Sequence, residues 1–387
     1  MAFNKYFIVI ALFFAVCCAF SEEKENISDP LVKRARSGDV SAQLELGKEY
    51  FRGQKRPLNR ALALYYFKLA ADAGSPEGMF NIGMCYEYGV EFEPDRLSAF
   101  HYYTKAGDFV PAMFKRAIFL ETGIPAQKNA RSYRRGVPAD LQKSNILINE
   151  LIKKEYPPAL THQAKKYLRN PASKDAEFKE AFRLLNIAVN KNDLTAFPLL
   201  AGCFEWGLGC EKNEEKAFSL INYAASAGDG SAMYQLGSYY EHGIGTAPDL
   251  QKAVNSYQKS AELGNPAAMV QLAKHYSSGF ILKTDLAKAI ELCQQAALQN
   301  ERTAFTQLGI FARQGVGMAA DSSRAFQLFL KAAGMGDPEG QYLFALAYKE
   351  GNGTPADLSG AHYWMKKSAA SNYLPALEKL KEWNIKL

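Results

Sequence analysis

The sequence predicts an all-α protein, a solenoid of stacked helix-turn-helix repeats, and three observations carry that reading. Small residues recur every 36 positions, at Ala196, Ala232, Ala268, Ala304, Gly340 and Ala376, and in a second register at Ala217, Ala253, Ala289, Ala325 and Ala361. Counting each anchor as position zero, apolar residues fall at four and eight and a small one at five, as in Leu236, Tyr240 and Gly237 after Ala232, all on one helix face. Capping residues and glycines interrupt the chain at the same two points of most units, repeat four having Asn170-Pro171 in place of the loop glycine. No strand pattern interrupts the helices. One helix pair cannot bury its apolar face alone, so the units must stack.

Taken in order, residues 1–21 read as a secretory signal. Lys5 supplies the positive start, Tyr6 to Phe20 is an unbroken apolar run, and small residues around Cys17-Cys18-Ala19 or Ala19-Phe20-Ser21 offer cleavage. The run is shorter than the roughly 20 residues of a membrane-spanning helix, which leaves a membrane anchor as the competing reading. Val16 before Cys17 argues against an acylated bacterial lipoprotein. No later stretch is apolar enough to span a bilayer, so no integral membrane segment is expected after cleavage. Residues 22–36 lead into nine repeats spanning 37–372, and 373–387 form a closing helix.

Within a repeat, Asp39, Ser75, Asp193, Asp229, Asn265 and Asp337 stand three before the anchor, where a short polar side chain caps a helix, and Pro76, Pro266 and Pro338 follow at the first helical position. The first helix ends at position eleven on Gly53, Gly89, Gly123, Gly207, Gly243, Gly279, Gly315 or Gly351. A second cap at position seventeen (Asn59, Asp95, Asn213, Asp249, Asp285, Asp321, Asp357) opens the second helix. That helix carries alanine at twenty-one and a small pair near twenty-eight.

Composition agrees with a folded protein: 48% of the 387 residues are hydrophobic and 22% charged, which excludes wholesale disorder. The net charge of +6 is spread along the chain, so no nucleic-acid partner is expected. Four cysteines lie beyond the signal, Cys85, Cys203, Cys210 and Cys293, too few for a disulfide scaffold. Cys203 and Cys210 are seven apart, with Gly207 and Gly209 between them to fold the chain back, so a bridge and two separate thiols both remain open. Zinc-protease, nucleophile-elbow and P-loop motifs are absent. The histidines (His101, His162, His242, His275, His362) have no metal-ligand spacing, and Gly243-Ile244-Gly245 is a turn, so neither metal, cofactor nor catalytic residue is assigned.

Segments such as AMYQLGSYYEHGIGTAPDLQKAVNSYQKSAELG resemble the Sel-one-like repeat of the tetratricopeptide superfamily, with the LG, GxG, D and KA positions recurring in register. The resemblance implies a right-handed superhelix and a role as scaffold or adaptor for another, unidentified protein or peptide. Exported bacterial members, and a eukaryotic one of the endoplasmic reticulum lumen, agree with the signal. The expected location is the periplasm or exterior of a bacterium, or the endoplasmic reticulum lumen or exterior of a eukaryotic cell. Relatives linked to penicillins carry a cysteine pair in every repeat, which this chain lacks, so an enzyme of that kind is disfavoured. A cell-envelope glycan or peptidoglycan binder is the other alternative.

Two places stand out as partner contacts. Repeat three carries an insertion within 124–139 holding Lys128, Arg131, Tyr133, Arg134 and Arg135 and no acidic residue, which suits an anionic partner; the plainer reading is a drifted junction. On the first helices, a 100° step turns positions two, three, six, nine and ten outward. Position ten holds Arg52, Tyr88, Trp206, His242, Ser278, Gln314 and Glu350, and the rings Tyr88, Trp206 and His242 are of the kind that anchor interfaces. Packing of Tyr88 and Trp206 on their own loop glycines is the competing reading.

Overall fold

The structure, a computed structural model, describes residues 27–91, 93–129, 132–317 and 319–386, for 127–129 and 132–134 the backbone alone. The expected signal at 1–21 lies outside the described residues. Two compact units divide the chain, Met1–Gln163 and Ala164–Leu387. In the first, helices α1 (Pro30–Arg36), α2 (Val40–Arg52), α3 (Arg60–Asp72), α4 (Pro76–Tyr88), α5 (Arg96–Lys105), α6 (Val110–Thr122) and α7 (Leu141–Lys153) each pack on the next. Helix α8 (Pro157–Arg169) straddles the division. In the second unit, α9 (Asp175–Asn190), α10 (Phe197–Trp206), α11 (Glu214–Ser226), α12 (Gly230–His242), α13 (Leu250–Glu262), α14 (Pro266–Ser278), α15 (Leu286–Leu298), α16 (Arg302–Gln314), α17 (Ser322–Gly334), α18 (Pro338–Glu350), α19 (Leu358–Ala370) and α20 (Leu374–Glu382) follow the same pattern.

The predicted caps form. Asp229 accepts from the Ala232 amide and Asp249 from that of Lys252, and the equivalent bonds recur at Asp39, Ser75, Asn213 and Asp337. Gly243 closes α12 in the left-handed region at φ 70°, its amide bonded to the Tyr239 carbonyl, a conformation that strains any residue bearing a Cβ. The core is a chain of small clusters, each shared by neighbouring helix pairs, as stacking of repeats requires.

One packing device sits at the heart of the repeats. The anchors Ala42, Ala112, Ala196, Ala232, Ala268 and Ala304 are fully buried. At position five, a Cβ on Gly47, Gly83, Gly237 or Gly309 would stand 2.5 or 2.6 Å from the ring of Phe67, Tyr103, Tyr257 or Phe329, the residue at position twenty-five of the same repeat. The missing side chain is the seat of that ring.

Two expectations need correction. The inserted segment is not a loop in an unbroken helical chain: β1 (Gln127–Asn129) and β2 (Ser132–Arg134) pair antiparallel, with Lys128 opposite Tyr133, and Ile124 pairs with Val137 at the base. Gly136 permits this, because a Cβ there would collide with the Ile124 carbonyl of the opposing segment. Strands of three residues are too short to show a period. Position two, expected to face outward, is covered: Phe80, Tyr234 and Tyr342 pack at a tilt against Tyr103, Tyr257 and Tyr373, and Val270 and Thr306 are buried. Position three stays exposed at Glu45 and half-buried at Lys115, His162, Gln235 and Gln271. Repeat stacking widens the buried face beyond what one helix pair needs.

Candidate interaction surface

With position two covered, the outward edge of the first helices reduces to positions three, six, nine and ten. Position ten is exposed in both units: Arg52 and Tyr88 in the first, Trp206, His242, Ser278, Gln314 and Glu350 in the second. Tyr88 is 60% exposed and Trp206 72%, so neither ring is folded onto its loop glycine. His242 is held by its own helix, Nδ1 lying 2.9 Å from the Ser238 carbonyl oxygen.

Position nine adds residues that sequence reasoning did not single out. The Tyr103 hydroxyl donates to Glu87 Oε2, Tyr239 to Glu205 Oε2 and Tyr257 to Glu241 Oε2, each at 2.6 Å. Burial first, and then the adjoining carboxylate, push all three phenols well above the ordinary tyrosine range, so they remain donors at any physiological pH. A second contact ties position nine to position three of the following repeat: Lys115 Nζ stands 3.1 Å from Glu87 Oε1, and His162 Nε2 2.8 Å from Glu121 Oε2. The signal was present in the sequence as glutamate recurring beside the position-ten ring, in Glu87-Tyr88, Glu205-Trp206 and Glu241-His242.

The basic insertion is presented by a hairpin. Lys128, Tyr133 and Arg134 lie on its strands, Arg135 is exposed just beyond β2, and Arg131 lies outside the described residues. Cys203 is buried and Cys210 half-buried; both are free thiols, and Cys210 Sγ donates to the Cys203 carbonyl oxygen at 3.4 Å. Burial pushes the Cys203, Cys85 and Cys293 thiols up to about 12. A groove of about 360 Å³ beside α2 is lined by Glu45, Lys48, Glu49, Lys55 and Glu77. Its charges neutralise one another, Lys48 on Glu77 at 2.6 Å and Lys55 on Glu49 at 3.1 Å. Among the described residues no three metal-capable side chains cluster, and no helix is long and apolar enough to cross a membrane.

A sequence model of the Sel1 repeat matches residues 40–75, 76–108, 199–229, 230–265, 266–301, 306–337 and 338–373, more than half of the chain. No curated protein matches. Among solved structures, a protective antigen of uropathogenic Escherichia coli displaying an SLR fold is 22% identical, covering 93% of this chain and 82% of that one with a TM-score of 0.43. A Sel1 repeat protein from Oxalobacter formigenes is 28% identical over 53% of this chain and 83% of its own, with a TM-score of 0.47. An immunity protein from Pseudomonas aeruginosa is 19% identical over 58% and 86%, with a TM-score of 0.43. Repeats of this kind commonly serve as protein-interaction scaffolds. With its turn glycines in register with those seven matches and a ring seated on a glycine in four of them, the chain belongs to the Sel1 repeat family.

Proposed function

We propose that the protein is an exported, non-catalytic scaffold or adaptor that binds another protein or peptide. The exposure of Tyr88 and Trp206 carries this reading. A large ring held in water by a rigid helix gains far more on binding than it contributes to the free fold, which is the usual chemistry of an interface anchor. The apolar run at Tyr6 to Phe20 supports export, and N-terminal sequencing of the secreted or periplasmic product tests it.

Pull-down with the full chain and with Tyr88→Ala and Trp206→Ala variants tests the scaffold role. Loss of the captured protein in either variant is the expected result, and unchanged capture in both removes this surface from the reading. Adding soluble peptidoglycan fragments to the same experiment identifies a glycan ligand if they compete. The basic hairpin supplies a second contact, to an acidic partner. Replacing Lys128, Arg131, Arg134 and Arg135 with Ser should abolish the salt dependence of capture while the melting temperature barely moves.

A further inference from the structure

The paired glutamate and ring at positions nine and ten have different occupancy in the two units. In the first, the pair is filled by the chain itself. Lys115 Nζ lies 3.1 Å from Glu87 Oε1, 3.2 Å from the Tyr88 hydroxyl and 5.2 Å from the centre of the Tyr88 ring, while Tyr103 fixes the other carboxylate oxygen. Lys115 comes from position three of the following repeat. That reach is general, because His162, also at position three, meets Glu121 in the same way.

In the second unit the corresponding cation is missing. Position three is Gln235 after the Glu205-Trp206 pair and Gln271 after Glu241-His242. Gln235 turns its Nε2 to the Tyr239 hydroxyl at 3.4 Å. Among the described residues no cation is ion-paired with Glu205 or Glu241, although each carboxylate is oriented by a phenol. Glu241 is held by the second-helix Tyr257 of its own repeat, as Glu87 is by Tyr103, and Glu205 by Tyr239 of the following repeat's first helix. Trp206, 72% exposed, stands beside Glu205 where Tyr88 stands beside Glu87.

We infer that Glu205 and Trp206 receive a lysine or arginine side chain from a basic segment of the partner protein, in the arrangement that Glu87 and Tyr88 give Lys115. An indole is the best aromatic face for a cation, and a pre-oriented carboxylate adds a charge-assisted hydrogen bond without first having to be ordered. Glu241, one repeat further on and held by Tyr257, offers a second carboxylate to the same segment. The inference rests on Trp206 being a partner contact.

The full chain is titrated calorimetrically with three peptides of one length and spacing, containing lysine, Nε-acetyl-lysine or glutamate. The lysine peptide alone should bind, and its affinity should fall roughly threefold to fivefold in Trp206→Ala and in Glu205→Gln. Gln235→Lys, which supplies the missing cation from position three, should weaken the peptide similarly. Lys115→Ala should open the Glu87-Tyr88 pair and raise the number of peptides bound per chain. Absence of lysine-peptide binding, or binding indifferent to Trp206→Ala and Gln235→Lys, overturns the inference. If acetylated and unmodified peptides bind alike and both need Trp206, the scaffold reading stands and the preference for a basic segment falls.

Discussion

Two helical glycines in the second unit should respond to alanine with opposite signs. Gly237 and Gly202 both lie inside helices, where exchanging glycine for alanine gains about 1 kcal/mol of helix propensity. At Gly237 the added methyl would stand 2.6 Å from Cδ1 and Cε1 of Tyr257 and 3.1 Å from the Ala253 carbonyl oxygen. The ring cannot swing aside cheaply, being 1% exposed with its hydroxyl bonded to Glu241 at 2.6 Å. Overpacking of this kind costs about 1–3 kcal/mol and the clash is at its severe end, so Gly237→Ala should lose about 1–2 kcal/mol net. At Gly202 nothing lies within 4 Å of the new methyl, so the propensity gain stands and stability should rise by up to about 1 kcal/mol. Urea melting of each full-length variant, with amide exchange in α12 and α13 to localise the loss, measures both. A Gly237→Ala variant as stable as the parent would refute the claim that the glycine seats the ring.

Tyr257→Phe keeps the ring and removes the hydroxyl that bonds Glu241, so it should cost about 1 kcal/mol in the same urea assay, less than a cavity-forming Tyr257→Ala. Acid should free α1. Asp29 is held below its ordinary 3.8 by Arg56, and Glu49 below 4.5 because Arg56 and Lys55 outweigh the burial that would raise it. A depressed carboxylate lends stability that is complete above its unfolded value and is lost as pH falls through its folded one. Amide exchange in Pro30–Arg36 should therefore quicken below about pH 4, and Arg56→Met should quicken it already at pH 7. The thiols of Cys85, Cys203 and Cys293 should resist an aromatic disulfide reagent at pH 8 until the chain is unfolded, with half-buried Cys210 modified first in the native protein.

Repeat period, caps and turn glycines were legible because each is a local rule, satisfied by one residue type at one spacing. Asp249 must cap α13 whatever lies beyond it, and Gly243 must end α12. The outward face was legible only in part, since a helical wheel knows one neighbour and a stacked repeat has two. That is why Tyr234 and Val270 are covered although the 100° step turns them outward. The hairpin between α6 and α7 was not legible at all: its pairing depends on Ile124 meeting Val137 across the insertion, a long-range choice that three-residue strands cannot advertise. The position-ten rings were found, but their glutamate partners were not, because a recurring glutamate on a helix surface reads as ordinary solvation until the phenol behind it is seen.

That phenol explains where the carboxylates occur. A tyrosine buried at position twenty-five must satisfy its hydroxyl, and position nine of the first helix is the site within reach, so Tyr103 is matched by Glu87 and Tyr257 by Glu241. Where position twenty-five is phenylalanine the demand disappears: Phe67 meets Phe51, and Phe329 lies under the Arg313 guanidinium, 5.7 Å from the ring centre. In these four repeats the residue at position nine thus follows whether the ring at position twenty-five carries an oxygen. In the second unit position nine is acidic at Glu205 and Glu241, neutral at Ser277, and cationic at the exposed Arg313 and Lys349. Glu205 answers not to position twenty-five, which is Ile221 there, but to Tyr239 of the following repeat. On the proposal above, a basic segment laid along these helices would be drawn to Glu205 and Glu241 and repelled by Arg313 and Lys349, which would fix its register.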